Sequence, residues 1–313
     1  MQIREFSQDL EGAVVALWNQ TLTADPVSVE RFRKQVLWDD NFDPLLALVA
    51  CEGTEVVGFL LATKRKFPYM ERGLEPDKGW VNLMFVRADM QRAHVGSSLL
   101  TCAEMRLVSL GVRRCIIAAY SPGYFFRGVD KDAYPSMAPF LEKRGYVAGE
   151  ESYRMCRDLY GFRLSPETKR ASDKARQLGY RVVPYDDARS LELLRFVRDE
   201  FGGGWKRNCL MAMRAGTAKD RILIVLSPHD TIVGFCTRAI DDNPMRFGPI
   251  GIAAACRNTG IGGVLLESAM YEMEKKSIHH MFFLSTDAAG RRFYERHGVK
   301  VLRTFTGYQK NLA

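Results

Sequence analysis

Residues 247–277 read FGPIGIAAACRNTGIGGVLLESAMYEMEKKS, and residues 81–111 read VNLMFVRADMQRAHVGSSLLTCAEMRLVSLG. The two starts lie 166 residues apart (247 less 81), and at that spacing Gln91 meets Arg257, Gly96 meets Gly262 and Leu99-Leu100 meets Leu265-Leu266 without a gap. Further blocks repeat in the same order. VVGFLLATKR (56–65) matches IVGFCTRAI (232–240), IREFSQDLEGAVVALWN (3–19) resembles RVVPYDDARSLELLRFV (181–197), and PFLEKRGY (139–146) matches RFYERHGV (292–299). Collinear blocks of this kind mark a domain written twice.

Each copy reads as a short strand, one or two amphipathic helices and a hairpin of strands carrying VVGF or IVGF. A strand, a long helix, a strand, a short helix and a final strand follow. The predicted division is a domain over 1–160, a junction over 161–180 and a second domain over 181–313. The junction, GFRLSPETKRASDKARQLGY, is polar and basic and carries Pro166 ahead of the second start signal. A length of 313 residues, 47% of them hydrophobic and 26% charged, gives each domain enough chain for its own core.

The seven cysteines stand singly and are odd in number, so neither a disulfide framework nor a zinc site is expected. That usage suits a reducing cytoplasm. The opening MQIREFSQDLEG is charged where a secretory signal would be apolar, and no apolar run approaches the about 18 residues of a membrane span. A cytoplasmic protein off the membrane is therefore expected. The formal charge of +8 is spread over both halves without a basic run. Nucleic-acid binding is not indicated, whereas a polyanionic ligand would be drawn in by such a field.

In GPIGIAAACRNTGIGGVLLESAMYEME (248–274) an apolar strand feeds a glycine-rich turn into a helix with Val264, Leu265, Ala269 and Met273 on an apolar stripe. A pyrophosphate approaches backbone N–H groups most closely where no Cβ intervenes, and a helix N-terminus favours its charge. Gly260, Gly262 and Gly263 meet that need. A tight strand-to-helix connection would use the same glycines, so the context decides. Dinucleotide binding requires GxGxxG after a first strand and an acidic residue about 20 positions on. RNTGIGG lacks that spacing and lies late in its domain.

Arg257-Asn258-Thr259-Gly260-Ile261-Gly262 resembles the (Q/R)-x-x-G-x-(G/A) cofactor signature of the GCN5-related N-acetyltransferases, the GNAT superfamily. The resemblance implies two tandem domains of the α/β (α+β) class, each a mixed, mostly antiparallel sheet flanked by helices. It implies acetyl-CoA as cosubstrate and no metal. Arg257, Asn258, Thr259, Gly260, Ile261, Gly262 and Gly263 would hold its pyrophosphate, and the strand carrying Ile250 and Ile252 its pantetheine arm. A second block, FFLSTDAAGRRFYERHGVKVLRTFTGYQK (282–310), is similar to the family's short helix, with Phe293-Tyr294 as its aromatic pair and Gly298 closing it. Gly290 stands where the family usually has Ala.

By the same resemblance Tyr294 is the general acid toward the departing thiolate; the alternative is an amphipathic Tyr packed on the sheet. The base is less legible. Asp287 is named for it, with Glu200, Asp241 and Asp242 as other carboxylates reached through water. Phe201, Gly203 and Trp205, from the run FGGGW (201–205), fall between the first two helices and are assigned to the acceptor pocket, against a plain flexible linker.

In the first copy the loop is Gln91-Arg92-Ala93-His94-Val95-Gly96, so His94 replaces the first signature glycine, and Leu141 stands in the Tyr position. A decayed site is expected there, without the loop geometry and without the acid. The insertion YSPGYFFRGVDKDAYPSM (120–137) is either a packed surface loop or a lid. The expected function is transfer of an acetyl group from acetyl-CoA to a primary amine of a small molecule, an amino sugar among the candidates, in the second copy. The alternatives are a non-catalytic acyl-CoA-binding regulator, favoured by the missing base, and an aminoacyl-tRNA-dependent transferase, disfavoured by the intact loop. The sequence does not choose between monomer and homodimer.

Overall fold

In the computed structural model, which describes residues 1–123 and 125–312, the chain divides into two compact units. Along the chain come β1 (Gln2–Glu5), α1 (Glu11–Thr21), α2 (Val29–Phe32), β2 (Ala47–Glu52), β3 (Glu55–Thr63), β4 (Lys78–Val86), α3 (Val95–Ser109), β5 (Arg114–Ile117), α4 (Met137–Glu142) and β6 (Val147–Asp158). There follow α5 (Pro166–Gln177), β7 (Arg181–Pro184), α6 (Ser190–Phe201), α7 (Gly203–Arg214), α8 (Ala218–Arg221), β8 (Ile222–Leu226), β9 (Ile232–Arg238), β10 (Phe247–Ile252), α9 (Ile261–Lys275), β11 (His280–Phe283), α10 (Ala288–Arg296) and β12 (Lys300–Asn311).

The first unit is Met1–Ser152 with Arg303–Ala313, and the second is Tyr153–Leu302. The division thus falls within β6 and β12, where the sequence pattern set a junction over 161–180. The reason is strand pairing: β12 runs antiparallel to β5, Tyr308 opposite Ile117, and so completes the first unit's sheet. The far half of β6, Met155–Asp158, pairs antiparallel with β11 in the second unit. The expected junction is itself structured. Ser165 caps α5 by accepting the Thr168 amide, and Thr168, Ala171 and Ala175 give the helix a less exposed stripe at helical spacing.

In the first unit, β1, β2, β3 and β4 pair antiparallel in succession, and β4 is parallel to β5. The central strands are buried on both faces. Leu48, Ala50, Leu60 and Ala62 join Leu99 and Leu107 of α3 in one core, while Val49, Phe59 and Leu61 join Val14 and Trp18 of α1 in the other. The 120–137 insertion is a packed loop. Phe125 lies 4.8 Å from Trp18, centroid to centroid, and Val129 exchanges both backbone hydrogen bonds with Thr306 of β12, at 2.8 and 2.9 Å. Tyr124 of that stretch lies outside the described residues. Arg303 fastens β12 further, donating to Asp25 at 2.6 and 2.9 Å and to Asp130 at 2.5 Å.

In the second unit the antiparallel order is β10-β9-β8-β7, so β10 is an edge. The core gathers Ile261, Leu265, Met270 and Met273 of α9 with Cys236, Phe247 and Met281. Among the described residues no helix is long and apolar enough to cross a membrane.

Candidate functional site

The second unit's site begins where β10 leaves β11. Arg246, just ahead of β10, makes one parallel bridge to Phe282 of β11, and no further pairing follows among the described residues. At that point Gly248 takes φ +89°, Pro249 brings no N–H, and the β10–β9 register shifts between Phe247 and Ile250. Ile250 then pairs with Cys236 and Ile252 with Gly234, leaving the other edge of β10 unpaired among the described residues. An extended chain can add to such an edge.

After β10 the backbone makes a short 3-10 turn, Ala254–Cys256, then the glycine loop, then α9. Asn258 takes φ +63° and Gly260, the helix cap, takes φ +85°. Gly260 is therefore a position of left-handed backbone, which glycine adopts without strain. Among the described residues no group accepts from the amides of Asn258, Thr259, Gly260, Ile261 or Gly262, whereas those of Arg257 and Gly263 are bonded within the turns. Five successive free amides at a helix N-terminus form an anion cradle. Gly263 has a separate purpose, because a Cβ there would stand 2.7 Å from His297 Nε2.

The first unit repeats this geometry 166 residues earlier. Arg92 and His94 both take φ +63°, His94 caps α3 in the left-handed region, and a 3-10 turn Ala88–Met90 precedes them. The expectation that this copy has lost the loop geometry is therefore corrected: the backbone path persists, and His94 bears the strain of a side chain there. Leu141, in the Tyr position of the first copy, is 1% exposed in the core.

Tyr294 of α10 packs tilted against Phe283 at 4.3 Å and edge-on against Phe293 at 5.1 Å, and burial pushes its hydroxyl pKa well above the usual tyrosine value. The charged or ionisable groups near it are Cys236, Arg246 and Asp287. Asp287 caps α10, accepting the Gly290 amide on Oδ1 at 2.7 Å. Gly290 is explained by the same corner, because a Cβ would fall 2.0 Å from Thr286 Oγ1. Each of the other carboxylates has a partner: Glu200 accepts the Ala254 amide at 3.1 Å, Asp242 pairs with Arg221 at 3.0 Å and Asp241 lies 3.7 Å from Arg246.

Gly202 joins α6 to α7, so Phe201 ends one helix and Gly203 opens the next. Phe201 and Trp205 stack at 5.0 Å and 23°. Phe201 lies over Gly251 of β10, where a Cβ would come within 2.4 Å of its ring. These residues form a packed wall on β10, where the sequence also allowed a flexible linker.

Sequence reasoning missed a buried polar hub on α9. Glu267, 3% exposed, accepts from the Ser165 amide at 2.8 Å, the Ser165 hydroxyl at 3.1 Å and His297 Nδ1 at 2.9 Å. Its signal was a carboxylate within the apolar run of 264–270. The hub ties α5 and α10 to the helix whose N-terminus forms the loop.

Residues 13–124 match the Acetyltransferase (GNAT) family, and residues 219–301 match an Acetyltransferase (GNAT) domain. No curated protein matches the chain significantly. Among solved structures, the GCN5-related glucosamine N-acetyltransferase region of a fungal multi-domain GH3 beta-N-acetylglucosaminidase is similar at TM-score 0.79 and 16% identity over 99% of this chain. This chain spans 38% of that protein. A GCN5-related N-acetyltransferase from Sphaerobacter thermophilus is similar at TM-score 0.70 and 15% identity, covering 99% of this chain and 95% of that one. A tandem GNAT protein from the clavulanic acid biosynthesis pathway is similar at TM-score 0.63 and 13% identity, covering 100% and 98%. With GNAT matches in both halves and a whole-chain likeness to a tandem GNAT protein, this chain is a tandem two-domain member of the GNAT superfamily, an acyltransferase.

Proposed function

We propose that the second unit transfers the acetyl group of acetyl-CoA to a primary amine of a small molecule, with amino sugars as the first acceptor class to test. The observation that carries this reading is the row of free amides from Asn258 to Gly262 beside the unpaired edge of β10. The amides and Arg257 would hold the pyrophosphate, and Ile250 and Ile252 the pantetheine arm. When bound, acetyl-CoA supplies the acyl group as an activated thioester. Tyr294, its pKa raised by burial, keeps a proton on its hydroxyl for the departing sulfur. Asp287 keeps Oδ2 for the amine's proton while Oδ1 caps α10. Phe201 and Trp205 offer an aromatic face of the kind that packs on a sugar ring. The likeness to a glucosamine N-acetyltransferase region is in keeping with that acceptor class.

The test is CoA release with acetyl-CoA and a panel of primary amines that includes glucosamine, alongside calorimetry of acetyl-CoA binding. Gly260→Glu places bulk and negative charge in the loop and is expected to abolish binding; unchanged affinity refutes the site. Tyr294→Phe is expected to lower turnover about 100-fold with the acetyl-CoA Kd unchanged, since only the hydroxyl is removed. Wild-type turnover with chemistry rate-limiting would make Tyr294 a packing residue.

A further inference from the structure

Helix α5 (Pro166–Gln177) runs directly ahead of β7 in the second unit. Its path is fixed at three points. Ser165, its cap, bonds to Glu267 in the middle of α9. Ala171 stands 3.7 Å from where a Cβ on Gly260 would be. Tyr180, just beyond the helix, lies beside Cys256, ahead of the loop. Rising numbers on α5 thus meet falling numbers on α9, so the two run antiparallel and the C-terminal half of α5 overhangs the N-terminus of α9.

On that half, Lys174 follows Ala171 by three residues, about one helical turn toward the C-terminus of α5. Its neighbour on this flank, Arg170, is paired with Glu167 at 3.1 Å. No carboxylate among the described residues pairs with Lys174, which is exposed, and none pairs with Arg257. Lys169 lies on the opposite flank. A guanidinium without a carboxylate partner thus lies in the loop of free amides, and an ammonium without one stands a helical turn beyond Ala171, the residue beside Gly260.

We infer that α5 is part of the cofactor site, with Lys174 holding a phosphate at the nucleotide end of coenzyme A. This rests on the proposed acetyl-CoA site of the second unit. A helix C-terminus is negative and would repel that end, so a cation is needed there if α5 is to stand beside a polyphosphate.

The experiment is calorimetry on the full chain with CoA and with 3′-dephospho-CoA, for wild type, Lys174→Ala, Lys174→Glu and Lys169→Ala. Lys174→Ala is expected to weaken CoA about tenfold, the scale of one charge-assisted hydrogen bond, with Lys174→Glu weaker still. Lys169→Ala should leave affinity unchanged. Loss confined to CoA assigns Lys174 to the 3′-phosphate, and equal loss with both ligands assigns it to the pyrophosphate. Wild-type affinity in both Lys174 variants, or equal loss in Lys169→Ala, overturns the inference and leaves the proposed function standing. A wild-type chain that binds neither ligand overturns both.

Discussion

Glu267 shows how one residue is held ionised inside a core. Burial pushes its carboxyl upward, but hydrogen bonds from His297, the Ser165 amide, Thr168 and the Ser165 hydroxyl outweigh it and keep the pKa below the usual Glu value. A depressed folded-state pKa stabilises above the unfolded value and ceases to do so as pH falls through the folded one. Glu267→Gln keeps the shape and removes the charge. It should cost about 2 kcal/mol at pH 7, and the deficit should shrink below the ordinary Glu pKa of about 4.3, where the wild-type residue also takes up a proton. Denaturant unfolding across pH checks this; a deficit that stays constant into acid would show that the carboxylate's charge is not what stabilises the hub.

At the scale of elements, the packed insertion depends on one glycine. A Cβ at Gly128 would lie 2.4 Å from the carbonyl oxygen of Thr306, which belongs to backbone and has no rotamer to escape into. Gly128→Ala should push the Val129 bridge away from β12 and lower stability by about 2 kcal/mol. An unchanged denaturation midpoint would mean that the insertion leaves β12 readily. The strand–turn–helix of the loop, by contrast, was legible from a six-residue motif, because left-handed backbone at Gly260 and apolar spacing on α9 are local properties. His94 shows the limit of that reading. Its residue type argued against the loop conformation, yet the surrounding α3 packing of Val95 and Leu99 holds it at φ +63°.

At the scale of the molecule, each unit is completed by chain that lies outside its sequence half. A chain ended at residue 302 would lose Arg303 and Tyr308, hence the ion pairs to Asp25 and Asp130 and the strand beside β5. Leaving Asp130 buried at 4% exposure without its arginine is expected to cost about 3 kcal/mol by itself. The truncated chain should lose protection of β5 in hydrogen exchange; native protection there would show that β12 is dispensable. For the same reason the fragment 181–313 should be insoluble or inactive, since it lacks Met155–Asp158 beside β11 and all of α5. A soluble, fully active fragment would overturn this.

The sequence by itself determined the duplication, the family, the loop and the short helix of Tyr294, all of which rest on residue type at fixed local spacing. Only the tertiary structure decided that β12 joins the first unit, that the expected junction carries α5 onto α9, that Asp287 caps a helix, and that Glu267 and His297 form a hub. Hydrophobic period fixes which face a strand or helix buries. It does not fix which neighbour, hundreds of residues away, that face or edge will meet.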